Sequence, residues 1–319
     1  MTGAIRIASR GSPLALAQAN LVRLALADAQ GWDPEELDEI CPIRVFRTSG
    51  DRIQDRPLAE AGGKGLFVKE IEDALLQDEA DIAVHSMKDV PAEQPDGLTI
   101  AAVLPREEPY DVFIARDGAP FDKLSENARL GTSSVRRQAQ ALHLRPDLKI
   151  VPLRGNVETR LLKLGRGEAD AIILAQAGLI RLGLSLPDAD LLAGDEWLPA
   201  LCQGIVGIET REDDAAIREI VAEIDDAESH LAASCERGFL AALDGSCRTP
   251  IAGLASVEAG TVRFRGQVLT VDGRNSWTVT RAFAYAELSQ ETARAQSYAA
   301  GESAANEIRR LAGRNFPRF

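Results

Sequence analysis

Short apolar runs alternate with stretches of helical periodicity through the first two thirds of the chain. Ile5–Ala8, Asp81–Val84, Tyr110–Ala115, Arg129–Thr132, Lys149–Leu153 and Ala171–Leu174 read as strands. Leu14, Ala17, Leu21 and Leu24 repeat at helical spacing, as do Val157, Leu161 and Leu164. Ser12 before Pro13 and Asn156 before Val157 are N-cap signals for those two helices. Strands alternating with helices imply an α/β class of mostly parallel sheets covered by helices on both faces. The alternation restarts near residue 105, and the apolar run Gly204–Glu209 fits as a further strand of the first sheet. This predicts a discontinuous first domain of residues 1–104 and 205–224, a second α/β domain of residues 105–204, and a cleft between them with hinges at the two crossings.

Beyond residue 225 the pattern changes. A helix is predicted over Glu228–Leu243, with Leu231, Cys235, Phe239 and Leu243 at four-residue spacing. Strands follow at Ile251–Ala255, Val262–Val271 and Trp277–Ala284, with Asp272-Gly273 as a hairpin turn, and a last amphipathic helix at Glu291–Leu311. Residues 225–319 are therefore expected to form a small α+β domain with an antiparallel sheet.

Each predicted strand of the α/β part runs into a polar cluster. Asp81–Val84 leads to His85, Ser86, Lys88 and Asp89, and Pro91 stops the run from continuing as a regular element. Ser9, Arg10 and Ser12 follow the first strand; Ser133, Ser134, Arg136 and Arg137 follow Arg129–Thr132. Arg154, Gly155 and Asn156 follow Lys149–Leu153, and Gln176, Gly178 and Arg181 follow Ala171–Leu174. Open α/β sheets bind ligands beyond the carboxyl ends of their strands. One such cluster is as well explained as a polar turn; the recurrence points to a cleft lined with cations and one carboxylate.

Charge sharpens this reading. The 319 residues carry 36 Lys+Arg against 49 Asp+Glu, a formal net charge of -13. Nucleic acid is disfavoured as a partner, because duplex binding needs a basic footprint. Arginines clustered in an acidic chain instead suggest a local anion site. No stretch has the length of a membrane-spanning helix, and Met1–Arg6 lacks a signal-peptide run, so a cytoplasmic protein is expected. Cys41, Cys202, Cys235 and Cys247 are far apart and His85, His143 and His230 are scattered, which argues against a disulfide framework and a metal site. Asp51–Gly65 combines charge, Pro57 and three glycines, the composition of a mobile lid. Its Gly62-Gly63-Lys64-Gly65 lacks the hydroxyl residue after Lys64 that a phosphate-binding loop needs, and that reading is rejected.

Cys247 stands apart from the other thiols. It lies in the loop Gly245-Ser-Cys-Arg-Thr-Pro250, outside any apolar periodicity and next to Arg248, a setting that favours the reactive thiolate as readily as it accommodates an ordinary loop cysteine.

Taken together, Arg6–Ala15, Gly62–Lys69, Ala83–Pro91, Gly131–Gln138, Leu153–Arg160 and Gly245–Pro250 resemble, in order and across essentially the whole chain, the motifs of the porphobilinogen deaminase (hydroxymethylbilane synthase) family. The resemblance implies a transferase of tetrapyrrole and heme biosynthesis. Such an enzyme deaminates four porphobilinogen molecules and joins them head to tail into linear hydroxymethylbilane, growing the chain on a dipyrromethane cofactor held by a thioether to the loop cysteine, here Cys247. It also implies two periplasmic-binding-protein-like domains around the cleft and a small C-terminal α+β domain carrying the cysteine; with the charge and the lack of a membrane-length run noted above, a monomer without nucleic-acid or membrane partners is expected.

Each pyrrole carries an acetate and a propionate, and arginine binds carboxylates bidentately. The resemblance therefore assigns Arg136, Arg137, Lys88, Ser133 and Ser86 to the cofactor, and Arg10, Ser12, Lys64, Arg154, Arg160 and Arg181 to the substrate. Asp89 is the expected catalytic residue, its charge stabilising the azafulvenium cation left when ammonia departs. The competing readings are a non-catalytic carboxylate-binding protein of the periplasmic-receptor type and an effector-binding regulator; no DNA-reading helix pair supports the latter.

Overall fold

The computed structural model describes residues 4–52, 65, 67–245 and 249–317. In chain order it begins β1 (Ile7–Arg10), α1 (Pro13–Gln30), α2 (Leu37–Ile40), β2 (Ile43–Phe46), α3 (Ser49–Arg52), α4 (Lys69–Leu76), β3 (Ile82–Ser86) and β4 (Leu98–Val103). It continues β5 (Asp111–Ala115), β6 (Arg129–Gly131), α5 (Val135–Leu144), β7 (Lys149–Val151), α6 (Val157–Gly165), β8 (Ala171–Ala175), α7 (Gln176–Arg181) and β9 (Asp190–Leu192). Then come β10 (Val206–Arg211), α8 (Ala215–Ala222), α9 (Ala227–Ala242), β11 (Ile251–Glu258), β12 (Thr261–Leu269), β13 (Ser276–Ala284) and α10 (Gln290–Ala312). Two compact units result, residues 1–107 with 205–230 and residues 108–204 with 231–319.

The first unit is built on a five-stranded sheet of order β2-β1-β3-β10-β4. β1 pairs parallel with β2 and β3, whereas β10 is antiparallel to both β3 and β4. Four strands thus share one direction and β10 alone is reversed. The expectation of mostly parallel sheets holds for strand direction, but the sheet is mixed, because β10 is the returning segment and enters from the opposite end. Helix α1 starts as the sequence signals: Ser12 Oγ accepts from the Ala15 N–H, Pro13 occupies the first turn, and Gly31 ends the helix in the left-handed region at φ 66°. Its buried face, however, carries Ala19, Val22 and Leu26, while Leu21 and Leu24 are 42% and 54% exposed. The small-residue face is the one that packs closely on the sheet, joining Ile5, Ile7, Ile82, Val84 and Ile208 in one core.

The second unit repeats that plan. Its α/β sheet has the order β7-β6-β8-β5-β9, with β6 parallel to β7 and β8, and β5 antiparallel to β8 and β9. Here too the strand formed as the chain enters the unit is the reversed one. The same unit contains a three-stranded antiparallel meander, β11-β12-β13. Helices α9 and α10 cover it, and Phe239 meets Phe264 edge-on at 5.0 Å. A Cβ at Gly238 would overlap the Tyr298 carbonyl, and one at Gly301 would overlap that of Cys235. Only glycine lets the two helix backbones approach so closely. His143 Nδ1 lies 2.7 Å from Gly273 O, and Gly253 N–H donates to Pro199 O at 3.0 Å, which ties the meander to the α/β sheet of its own unit.

Candidate active site

Shared strand direction collects the polar clusters at one edge of each sheet. In the first unit, β1 delivers Arg10 and Ser12 to the carboxyl edge and β3 delivers Ser86, Lys88 and Asp89, all half-buried. The Arg10 guanidinium stacks over the Phe67 ring at 4.4 Å. Met87–Asp89 forms a single 3-10 turn closed by Val90 N–H to Met87 O at 3.2 Å, and Met87 N–H donates to Ile205 O at 3.0 Å.

His85 does not present a base at this edge, contrary to the sequence reading. Strand alternation turns it inward, where it is 5% exposed. Its Nε2 lies 3.0 Å from Glu209 Oε2, and Gln94 Nε2 donates to Glu209 Oε1 at 3.2 Å. Glu72 on α4 is buried in the same neighbourhood. Burial, reinforced by Glu209 and opposed by His85, pushes its carboxyl up to about 7.

In the second unit, β6 leads to Ser133, Arg136 and Arg137, β7 leads to Arg154 and Arg160, and β8 leads to Arg181, again at one carboxyl edge. Ser133 is exposed and its hydroxyl donates to Leu153 O at 3.2 Å. Arg154, Arg160 and Arg181 are half-buried; Arg160 Nε donates to Gly155 O at 2.8 Å and Arg181 Nη2 to Gly204 O at 2.6 Å.

Arg136 and Arg137, in the first turn of α5, are each only 5% exposed, and both engage a carboxylate of the chain itself. Arg136 Nη1 lies 2.8 Å from Asp111 Oδ2, and Arg137 Nη2 lies 2.7 Å from Asp111 Oδ1. Trp197 Nε1 and Gln203 Nε2 each donate to the same carboxylate at 2.9 Å. Burial pushes the Asp111 carboxyl up, but the two guanidiniums overcome it and hold the carboxyl well below its usual range. Burial also pulls the Arg136 guanidinium below its ordinary value, with Asp111 offsetting part of that. Sequence reasoning missed Asp111, Trp197 and Gln203. The available signal was a carboxylate at the first position of an otherwise apolar strand, Asp111–Ala115, where a buried charge demands partners.

Two guanidiniums against one carboxylate leave one surplus buried positive charge, and Arg137 Nε has no hydrogen-bond partner among the described residues. A buried cation without a counterion is costly, so this donor set fits a carboxylate-bearing cofactor. Cys41, Cys202 and Cys235 are all buried, and burial pushes the Cys41 thiol up to about 12 and raises Cys235 as well. Such thiols are poor nucleophiles. Cys247, Lys64 and residues 53–64 of the predicted lid lie outside the described residues. Among the described residues no group of His, Cys, Asp or Glu is placed to hold a metal ion.

Comparison with known proteins accounts for both sheets and the meander. The family model described as "Porphobilinogen deaminase, dipyromethane cofactor binding domain" matches residues 5–219, and that of the "Porphobilinogen deaminase, C-terminal domain" matches residues 230–309. The porphobilinogen deaminases of Nitrobacter winogradskyi and Nitrobacter hamburgensis are each 51% identical over 310 residues, covering 97% of this chain and 94% of theirs. Among solved structures, YhfZ from Shigella flexneri aligns with TM-score 0.37 at 18% identity, covering 76% of this chain and 96% of that one. A glutathione-bound periplasmic binding protein from Brucella ovis aligns with TM-score 0.39 at 15% identity, covering 76% and 69%. With two family models spanning both units and half of all residues shared with full-length relatives, the chain belongs to the porphobilinogen deaminase family.

Proposed function

We propose that the second unit's carboxyl edge supplies the buried arginine anchor for the cofactor's carboxylates and the first unit's edge supplies the carboxylate that acts on the reacting ring, while the remaining polar residues of both edges serve cofactor and substrate carboxylates. The activity itself is that of the family: a transferase that removes ammonia from porphobilinogen and joins four of the resulting units head to tail into hydroxymethylbilane, using a dipyrromethane cofactor. The observation that carries the division is the buried Arg136–Asp111–Arg137 group, preorganised with one positive charge to spare.

Arg136 and Arg137 hold the cofactor's carboxylates, with Ser133, Ser86 and Lys88 assisting, and Cys247 is its point of covalent attachment. When bound, the dipyrromethane supplies the pyrrole end on which the chain is built. Arg10, Ser12, Lys64, Arg154, Arg160 and Arg181 take the acetate and propionate groups of substrate rings; each charged hydrogen bond is worth about 1.5–3 kcal/mol. Asp89 stabilises the cation that loss of ammonia leaves on the substrate ring. A unit charge at about 4 Å, with an effective dielectric near 20, contributes about 4 kcal/mol, roughly a thousandfold in rate. Placement of Asp89 on a half-buried turn at the carboxyl edge supports this role.

The reading extends to a cytoplasmic monomer without nucleic-acid or membrane partners. Its net charge of -13 supports the lack of a nucleic-acid partner, and no helix among the described residues is long and apolar enough to cross a membrane. The test is to follow porphobilinogen and ammonia together with purified protein. One ammonia released per porphobilinogen consumed, with hydroxymethylbilane as product, is expected. Porphobilinogen binding without ammonia release would favour the carboxylate-binding alternative. Arg137→Ala is expected to be purified without adduct, and a fully loaded, active Arg137→Ala would refute the role of Arg137.

A further inference from the structure

Strand β10 touches the turn that carries Asp89 at successive points, and one of them depends on a missing side chain. In the antiparallel register Val206 faces Ser86, Gly207 faces His85 and Glu209 faces Ala83. Side chains alternate across a sheet, so His85 and Met87 share one face with positions 207 and 209. On that face His85 is bound to Glu209, and Met87, 2% exposed, lies over Gly207. A Cβ at position 207 would stand 2.9 Å from Met87 Cγ and nearer still to Sδ, inside van der Waals contact. The backbone of Gly207 is not in the left-handed region, so glycine is needed here for space rather than for conformation. The backbone bond from Met87 N–H to Ile205 O completes the attachment.

We propose that Gly207 is a positioning residue for catalysis: the notch it leaves in β10 seats the Met87 side chain and thereby aims the Met87–Asp89 turn. The proposal rests on the catalytic reading of Asp89. Asp89 is two residues from Met87 in a one-turn helix, and Met87 is buried, so its side chain has little free space in which to turn away and displacement of it reaches the turn. Misplacing a reacting group by about 1 Å costs on the order of a hundredfold in rate. His85–Glu209 anchors the strand before the turn, the Met87 N–H to Ile205 O bond holds its backbone, and the Met87 seat is a further contact that bears on the turn's tilt.

A double-mutant cycle on the cofactor-loaded enzyme tests this. Gly207→Ala is expected to lower kcat about ten- to a hundredfold, with KM changed less than about threefold and with a normal cofactor adduct by intact mass. Met87→Ala is expected to lower kcat as well, because the seat is empty. In the Met87→Ala background, adding Gly207→Ala is expected to cost less than about threefold, since the clash is gone. A wild-type kcat in Gly207→Ala, or the same fold-loss in both backgrounds, overturns the proposal. If Gly207→Ala does not yield folded protein, Met87→Leu, near in volume but branched at Cγ, carries the test: several-fold loss of kcat at unchanged KM supports the seat, and wild-type kcat overturns it. Asp89→Asn measured alongside separates the two readings. An active Asp89→Asn removes the catalytic premise, whereas an inactive Asp89→Asn beside a normal Gly207→Ala removes only the positioning claim.

Discussion

The two five-stranded sheets share one spatial pattern of strand directions, although the reversed strand is formed last in the first sheet and first in the second, and their carboxyl edges are finished in opposite ways. At the edge of the second unit, Arg136 and Arg137 are buried and fixed by Asp111, Leu198 O and Ile173 O. At the edge of the first, Ser86 ends β3 and Lys88 and Asp89 stand on the single turn that follows, all half-buried, with Ile205 O accepting from Met87 N–H and Gly207 beneath the Met87 side chain. The same pattern of strand directions thus ends in a fixed charge socket in one place and a supported but open turn in the other. A socket suits a group that is bound once and kept. An open turn suits a group that must meet a new ring at each coupling.

Asp111 is where the second edge is most vulnerable. Replacing it by Asn leaves two buried guanidiniums without their carboxylate, which is expected to cost about 3–5 kcal/mol, read from the shift in denaturant midpoint. Because Asp111's carboxyl is held below its ordinary 3.8, its stabilisation is complete above that pH and is lost only as the pH falls well below it. A loss under about 1 kcal/mol, the scale of an exposed pair, would mean that the socket is not prestressed by charge.

At the first edge the expected effect is on rate. Asp89→Asn removes charge with little change of shape, and kcat is expected to fall roughly a thousandfold, about 4 kcal/mol of transition-state stabilisation, with the thermal midpoint and the cofactor adduct retained. Near-normal turnover would show that the open turn does not carry the chemistry.

Glu72, behind that turn, makes the stability of the first unit depend on pH. Its carboxyl is raised from 4.5 to about 7, so the folded protein keeps a proton that the unfolded chain releases across that interval. Stability is therefore highest below the unfolded value and falls as pH rises from 4.5 to 7, by roughly 3 kcal/mol in all. Glu72→Gln is expected to flatten this slope and to be more stable than the parent at pH 8. An unchanged pH profile would contradict the assignment.

The smallest effect belongs to Ser12, which caps α1 and is also assigned to substrate. Ser12→Ala is expected to cost about 1 kcal/mol of stability and to raise KM. A change in stability with an unmoved KM would leave it a cap alone.

Strands β1, β3 and β10 of the first sheet, the helix starts at Ser12 and Asn156, and the antiparallel meander were legible in the sequence because each is a local signal: a period, a cap or a turn. The reversal of β5 and β10 was not, since direction is decided by where the chain re-enters a sheet and no residue encodes it locally. The site was legible as a set of strand-end clusters. Its second layer was not. Asp111, Trp197 and Gln203 are far apart in the chain and meet only when β5 and the segment before β10 are brought together. His85 looked like part of the edge because it adjoins Ser86, and only the alternation of β3 against Glu209 shows that it points inward. Gly207 is similar: nothing at Gly204–Glu209 announces that Met87 will lie on it.

If a socket in the second unit holds a cofactor attached at Cys247, on which the chain grows, the intact mass of freshly purified protein shows it. The expected mass exceeds that of the sequence by two porphobilinogen units less two ammonia, Cys247→Ser lacks the excess, and limiting porphobilinogen adds a ladder of single pyrrole units to the parent. An active protein with the mass of its bare sequence, and no ladder, would contradict the account.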